Sequence, residues 1–232
     1  MKILCTICAR KNSKGLKNKN LLKIRGKQLI LYTIQQSRKI KLFSDIVVST
    51  DSQKIINLVK HYSKLHIIER SKNLSGDKVG KIKVIRDALD KIEKKTGNKY
   101  NIICDLDVTS PLRSINDINR ALKKFKKEKL ITLLSANKSY KNPYFNIIER
   151  KGKKVFLSKN LKKFQRRQDA PTTYDLNASI YIFDREYLIK SDNIISKKSN
   201  IFVMPRERSI DIDNELDLKI VKTLMRRKDV SN

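Results

Sequence analysis

Long apolar runs are missing from this 232-residue chain. None approaches the roughly 20 residues that span a bilayer, so no membrane segment is expected. The N-terminal run Ile3–Ala9 is too short for the apolar core of a secretion signal, and it carries two cysteines. Cysteine itself is scarce. Cys5, Cys8 and Cys104 are the whole set, too few for a disulfide framework. These absences point to the reducing cytoplasm. Cys5 and Cys8 form a CxxC pair, but no second pair follows, and His61 and His66 lie far off in sequence. A zinc or redox site is therefore not expected. The histidines read as surface residues near a helix end. No internal repeat and no low-complexity linker is present.

Acidic residues are also in short supply. Lys and Arg number 54 against 23 Asp and Glu, a formal charge of +31. A field that large attracts polyanions. Yet the lysines are scattered along every segment and form no single tail or stripe. Ile, Asn and Lys are abundant together while Ala, Gly and Pro are scarce, the imprint of AT-rich coding. The charge therefore reads as a solvated lysine-rich surface, and no nucleic-acid partner is expected. A basic nucleic-acid-binding protein remains the alternative of another class. It would gather its basic side chains on one continuous face, whereas an enzyme would converge them on one cleft. With 39% hydrophobic residues the chain can bury a core, and its length suits one domain.

Two periodicities alternate along the chain. Lys2–Cys8, Asp45–Thr50, Leu65–Glu69, Asn101–Leu106 and Leu130–Ser135 are short apolar runs that predict buried strands. Leu29–Arg38, Ile55–Ser63, Val79–Lys95 and Ile115–Glu128 carry helical spacing between them. Asp51-Ser52 supplies a helix cap. The alternation predicts an α/β fold with a parallel sheet and helices on both faces. Near Tyr140 the pattern changes. Asn146–Glu149, Lys154–Leu157 and Ser179–Phe183 are short strand-like runs, read as a hairpin that leaves the main sheet. Ile201–Met204 and the helix Leu216–Arg226 return to α/β character. In open sheets of this kind, ligands bind beyond the carboxyl ends of the strands.

The loop after the first strand carries five basic residues between Arg10 and Asn20, with Ser13 and Gly15 among them. It is neither GxxxxGK[ST] nor GxGxxG. Its cations and backbone N–H groups can still line an anion site suited to a triphosphate. Asp211 and Asp213 alternate with Ile210 and Ile212, so in extended chain both carboxylates face one way. Paired carboxylates suit a hard divalent cation. The competing reading makes Asp213 or Asn214 the cap of the closing helix. Asp105 and Asp107 likewise share one strand face, with Asp107 at the carboxyl end. Lys81 follows Gly80 at the start of the long helix, where anions are favoured, so it is expected near phosphate. Arg166-Arg167-Gln168 offers planar guanidinium groups that can clamp a carboxylate bidentately. No Ser/His/Asp arrangement is present.

Five motifs then occur in order. They are Arg10-x-x-Ser13-Lys14-Gly15 with Lys19-Asn20, Val47-Val48-Ser49-Thr50-Asp51, and Asp107-Val108-Thr109-Ser110-Pro111-Leu112-Arg113. Arg167-Gln168 with Asn177-Ala178-Ser179-Ile180-Tyr181 follows, and Ser209-Ile210-Asp211-Ile212-Asp213 is last. Together they resemble the CMP-sugar synthetases, the acylneuraminate cytidylyltransferases and their relatives, over almost the whole chain. Sialate-using members usually carry Gln where this chain has Asp107. Legionaminate-using members are more similar, with Asp-Leu-Asp before the Ser-Pro-Leu-Arg turn. This departure either alters sugar recognition or adds a metal ligand.

The resemblance implies a Rossmann-like nucleotidyltransferase domain over residues 1–232, with a small β insertion at 138–180. In the family that insertion pairs two subunits and contributes to the sugar pocket, so a homodimer is expected. The implied reaction joins CTP to a legionaminate- or sialate-like nonulosonic acid, releasing pyrophosphate. A CMP-Kdo-type or other sugar nucleotidyltransferase is the nearer alternative. The implied nucleotide ligands are Arg10, Ser13, Lys14, Gly15, Lys19, Asn20, Arg70 and Lys81. The implied sugar ligands are Asp107, Thr109, Ser110, Arg167, Asn177 and Tyr181. Asp211 and Asp213 would hold Mg2+, and with Arg10 and Lys19 they form the expected catalytic set.

Overall fold

Strands buried on both faces need uninterrupted apolar sequence, and helices that cover them need one apolar stripe. The computed structural model describes residues 1–12, 15–76, 79–159 and 166–227, apart from the side chains of Arg167, Arg226 and Arg227. Its elements follow the sequence pattern closely. Strand β1 (Ile3–Cys8) leads through the basic loop to a two-strand ribbon, β2 (Lys23–Ile24) and β3 (Lys27–Gln28). Helix α1 (Leu29–Arg38), β4 (Asp45–Thr50), α2 (Gln53–Val59) and β5 (Leu65–Glu69) follow. Then come α3 (Lys81–Thr96), β6 (Ile102–Leu106), α4 (Ile115–Lys127) and β7 (Thr132–Lys138). The remainder is the hairpin β8 (Ile148–Lys151) and β9 (Lys154–Leu157), β10 (Tyr174–Asp184), α5 (Arg185–Lys190), β11 (Ser199–Val203) and α6 (Glu215–Arg227).

The main sheet has the order β11-β7-β10-β6-β1-β4-β5. β1 pairs parallel with β4 and β6, β4 with β5, and β7 with β11. Only β10 runs antiparallel, between β6 and β7. The expected α/β sheet is therefore present, with one reversed strand. On one face α1, α2, α4 and α6 pack against Ile3, Cys5, Ile7, Val48 and Cys104. On the other, α3 and α5 cover Leu4, Val47, Ile103 and Phe183. Alternation along β1 thus sends Cys5 and Cys8 to opposite faces, so the CxxC pair cannot chelate as a unit.

Two sequence expectations are corrected. His66 is not near a helix end but half-buried on β5, with Nε2 2.9 Å from Asp45 Oδ1. Residues 174–180, placed within the insertion by the sequence, are hydrogen-bonded into the main sheet as the first part of β10. The separate hairpin is β8–β9. The register of β10 against β7 shifts between Leu176 and Tyr181, where Ala178 sits at φ 52°. A bulge of this kind bends the strand and re-aims its carbonyls. No helix among the described residues is long and apolar enough to cross a membrane.

Candidate active site

The carboxyl ends of β1, β5 and β6 open onto one cleft of about 380 Å³. Arg10, Gly15, Lys19 and Asn20 of the basic loop line one side. Asp211 and Asp213 line another, and Arg70, Lys81, Asp107 and Thr109 complete it with Cys8, Val79 and Val84. Sequence separations of up to two hundred residues are thereby closed. Ser13 and Lys14 lie outside the described residues.

The basic loop is held by its own polar groups. Asn20, buried, donates Nδ2 to the Arg10 carbonyl at 2.9 Å. The Lys11 N–H donates to Asp51 Oδ1 at 2.6 Å, beyond the end of β4. Asn18 adopts the left-handed region at φ 54°, which Asn tolerates, and so turns the chain into the 3-10 turn Lys19–Leu21. Gly15 abuts the C-terminal acidic segment closely enough that a Cβ would collide with the Asp213 carbonyl oxygen. The side chains meet there too, with Lys19 Nζ 2.8 Å from Asp213 Oδ1.

The segment 209–213 belongs to no strand. Its alternation nevertheless holds. Ile212 is fully buried and donates its N–H to the Thr109 carbonyl at 3.0 Å, while Asp211 and Asp213 on either side reach the cleft. Capping of α6 falls to other residues. Asn214 Oδ1 accepts from the N–H groups of Leu216 and Asp217. Asp217 Oδ2 accepts from those of Asp213 and Asn214. The Asp211 and Asp213 carboxylates are free of that task. Asp211 Oδ1 is enclosed and has no hydrogen-bond partner among the described residues. Burial, then the neighbouring Asp107 charge, pushes its carboxyl up to about 6.

The cleft floor is a second charged cluster. Asp107 Oδ1 accepts from the Thr109 N–H at 3.1 Å and from Thr109 Oγ1 at 2.8 Å, while Lys81 Nζ lies 2.7 Å from Oδ2. Burial works against the charge on Asp107, but Lys81 and Thr109 outweigh it and hold the carboxyl well below its ordinary range. Arg70 is buried, with Nη2 donating to the Ser49 carbonyl at 3.0 Å and Nε near Ser49 Oγ at 3.4 Å.

Not every expected residue reaches this cleft. Ser110 is fully buried and is not among the lining residues. Asn177 is 4% exposed, and its amide is spent within the protein. Oδ1 accepts from Ser135 Oγ at 2.6 Å and the Ser179 N–H at 3.2 Å, and Nδ2 donates to Ser209 Oγ at 2.9 Å. It pins the β10 bulge to the acidic segment. Tyr181 is buried on β10 with its ring under Lys81 Nζ, 5.1 Å from the centroid. Arg167 lies in the short turn Arg167–Asp169, and its side chain is outside the described residues. A slightly larger cavity, about 420 Å³, lies behind the 107–113 turn against Arg25, Tyr32 and Leu112. It holds no carboxylate and lies away from the strand-end carboxylates that phosphoryl chemistry needs.

Arg113 was given no role by the sequence reading beyond its place in the Ser-Pro-Leu-Arg turn. It is 2% exposed and stands directly behind the cleft. Its Nη1 donates to the carbonyls of Asp107 (3.2 Å) and Ser179 (2.5 Å), and its Nη2 to Thr33 Oγ1 (3.2 Å) and Gln36 Oε1 (3.0 Å).

A mostly parallel, doubly covered sheet with a basic loop facing paired carboxylates at its strand ends defines an enzyme that handles nucleotide phosphates. Comparison with known proteins agrees. A family model described as Cytidylyltransferase matches residues 4–224, and the chain belongs to that family of nucleotidyltransferases. It is 43% identical over 229 residues to CMP-N,N'-diacetyllegionaminic acid synthase of Campylobacter jejuni, spanning 99% of this chain and 97% of that one. It is 42% identical over 228 residues to post-translational flagellin modification protein B of Campylobacter coli, spanning 98% and 97%. Its fold resembles that of CMP:2-keto-3-deoxy-manno-octonic acid synthetase complexed with CTP, with a TM-score of 0.67 at 15% identity over 98% and 100% of the two chains.

Proposed function

We propose that this cytidylyltransferase joins CTP to a legionaminate- or sialate-like nonulosonic acid, giving the CMP-sugar and pyrophosphate. The observation that carries the reading is the meeting of the basic loop with the acidic segment. Lys19 pairs with Asp213 beside the partnerless Asp211 Oδ1, across one cleft from Arg10. The extent of similarity to a CMP-legionaminate synthase supports the choice of sugar class.

A divalent cation fits these residues. An enclosed carboxylate oxygen with no donor is the acceptor a hard cation satisfies. Among the described residues no three acids, histidines or cysteines form a ready metal cage. Asp211 and Asp213 would therefore hold the ion, with phosphate oxygens and water completing its shell, and Mg2+ is the ion we propose. When bound, the ion offsets negative charge on the phosphates undergoing displacement. The chain's own residues do the rest. Arg10 and Lys19 attract and orient the triphosphate, and the loop that carries them is prefixed by Asn20 and Asp51. Arg70, anchored on Ser49, borders the nucleotide side. Asp107 and Thr109 face the position of the sugar. The anomeric hydroxyl would attack the α-phosphate in line, so positioning and electrostatics supply most of the acceleration.

The test is pyrophosphate release with CTP, UTP, ATP and GTP against legionaminate, N-acetylneuraminate and Kdo. CTP with a nonulosonate is expected to exceed every other pair by about 100-fold, a difference of about 2.7 kcal/mol in barrier. Equal turnover with ATP or GTP overturns the nucleotide assignment. Preference for Kdo overturns the sugar assignment.

The hairpin supports a homodimer. Ile148 and Val155 are exposed on one face of β8–β9 and Phe156 on the other, and Tyr174 and Leu176 are exposed at the start of β10; exposed large apolar side chains of this kind favour an interface. Light scattering is expected to give twice the chain mass. Ile148→Glu with Val155→Lys should yield monomers. An intact protein that is monomeric at tens of micromolar and fully active would reject the dimer.

A further inference from the structure

Lys81 is the first residue of α3, a place where the helix macrodipole disfavours a cation. Its N-cap, Gly80, brings no side-chain hydrogen bond. A lysine there needs compensation from elsewhere, and β6 supplies it. Lys81 Nζ lies 2.7 Å from Asp107 Oδ2 and 2.9 Å from Asp105 Oδ2. It also points to the Ala178 carbonyl at 3.5 Å, which the β10 bulge turns towards it. An ammonium has three hydrogens; Asp107 Oδ2 and the Ala178 carbonyl accept from it, and Asp105 Oδ2 stands at ion-pair distance without hydrogen-bond alignment. The Tyr181 ring closes the remaining side.

The two acids are fixed in turn. Asp105 is fully buried, and its Oδ1 accepts from Thr6 Oγ1 at 2.7 Å. Asp107 Oδ1 is held by Thr109. Two carboxylates two residues apart on one strand face repel each other when buried, unless a cation lies between them. A protein ammonium and a bound metal ion are rival solutions to that problem, and here the ammonium occupies the position.

We propose that Lys81 is a positioning residue of the sugar subsite. It binds Asp105 and Asp107 into one unit, presents Asp107 to the cleft as a fixed acceptor for a hydroxyl or amide N–H of the sugar, and keeps Asp107 from joining Asp211 and Asp213 as a cation ligand. Lys81 touches neither the triphosphate nor the cation. This assignment rests on the sugar-nucleotide reading given above, and it replaces the sequence expectation that Lys81 meets phosphate.

The test uses Lys81→Met and the double variant Lys81→Met with Asp105→Asn. The double variant keeps the net charge of the trio and relieves the buried repulsion, so it remains informative if the single variant fails to fold. Two readouts are taken: Mn2+ binding to the substrate-free protein by electron paramagnetic resonance, and the substrate constants. Mn2+ is expected to bind at least tenfold more tightly to the double variant, because Asp107 is released towards Asp211. The sugar KM is expected to rise at least tenfold while CTP affinity by calorimetry stays within twofold. A tenfold loss of CTP affinity with an unmoved sugar KM overturns the proposal and makes Lys81 a nucleotide ligand. Unchanged Mn2+ binding together with an unchanged sugar KM also overturns it. If wild-type protein turns over no nonulosonate, the proposed function fails, while the Mn2+ titration still decides whether Lys81 keeps Asp107 from the cation.

Discussion

Asp211→Asn and Asp213→Asn should each lower kcat by about 100-fold or more, the scale on which loss of one preorganised charge stabiliser is felt. The substitution keeps the size of the side chain and removes one charge from the cation position. The charge it removes acts mainly on the transition state, so kcat should fall more than substrate affinity. The two variants should part company in stability. Asp213 is largely exposed and pairs with Lys19 across the cleft mouth, an ion pair worth about 0–1 kcal/mol, so its Tm should barely move. Asp211 is half-buried, with one enclosed oxygen that no donor among the described residues serves.

The sign of the Asp211 effect follows from its titration. Burial raises its carboxyl from an ordinary 3.8 to about 6 in the folded protein. Between those values the folded state holds a proton that the unfolded state has released. Stability therefore falls as pH rises from about 4 to 6, and the penalty is complete above 6. Asn carries no such penalty. In EDTA at neutral pH, Asp211→Asn should gain about 2 kcal/mol, a rise of roughly 4–8 °C in Tm for a chain of this size. Activity lost and stability gained in one substitution is the signature of a residue held against its own charge for function. Near-full turnover in both variants would sink the cation assignment. An Asp211→Asn protein no more stable than wild type would show that the carboxylate is not strained by its burial.

Much of this was legible in the sequence, for definable reasons. β4 and β5 match the sequence reading end for end, β4 because a strand buried in a parallel sheet is a continuous β-branched run, and β5, the half-buried edge strand, on its shorter apolar run. Arg10, Lys19 and Asp107 are found by looking just past the first and fourth predicted strands, whereas Arg70 comes from the family resemblance. β10 was harder. Its first residues, Tyr174–Leu176, are exposed, and the bulge at Ala178 breaks its alternation, so only Ser179–Phe183 read as strand. The short helix α5 follows β10 directly and escaped notice, since six residues are too few for a periodic signal. Asn177 looked like a sugar ligand because a polar residue in a recognised motif carries no mark of burial. Lys81 looked like a phosphate ligand for the converse reason. Its local setting, a helix N-terminus, favours anions, and the acids that claim it arrive from β6 through tertiary structure alone. Local chemistry is readable from spacing. Which of two partners a charge finds is decided by packing.

Arg113→Met should be the most damaging substitution outside the cleft, at about 3–4 kcal/mol. The guanidinium is almost wholly enclosed and, among the described residues, has no carboxylate against it at hydrogen-bond distance. Burial accordingly draws it below the ordinary arginine value, with Asp107 working in the opposite direction. What it does instead is satisfy acceptors from three separate elements. The Asp107 carbonyl belongs to the turn after β6, the Ser179 carbonyl to β10, and Thr33 and Gln36 to α1. Methionine fills comparable volume but takes the guanidinium donors from Gln36 Oε1 and from both carbonyls, which keep only the Thr33 hydroxyl (on Asp107) and the Asp107 N–H (on Ser179). Tm should drop by roughly 6–16 °C. Arg113→Lys should recover little, because one ammonium cannot reach acceptors that lie on both sides of a planar fork. Lys123→Met on the exposed face of α4 is the control and should stay within about 0.5 kcal/mol. The functional consequence is specific. Asp107 and Thr109 sit on the turn that Arg113 braces, and Ile212 hangs from the Thr109 carbonyl. Slackening the turn therefore moves the sugar side and the acidic segment together, and at temperatures where the variant is folded its sugar KM and its metal requirement should both rise. A variant that unfolds within 1 kcal/mol of wild type would mean that water replaces the guanidinium, and that the turn holds its shape without it.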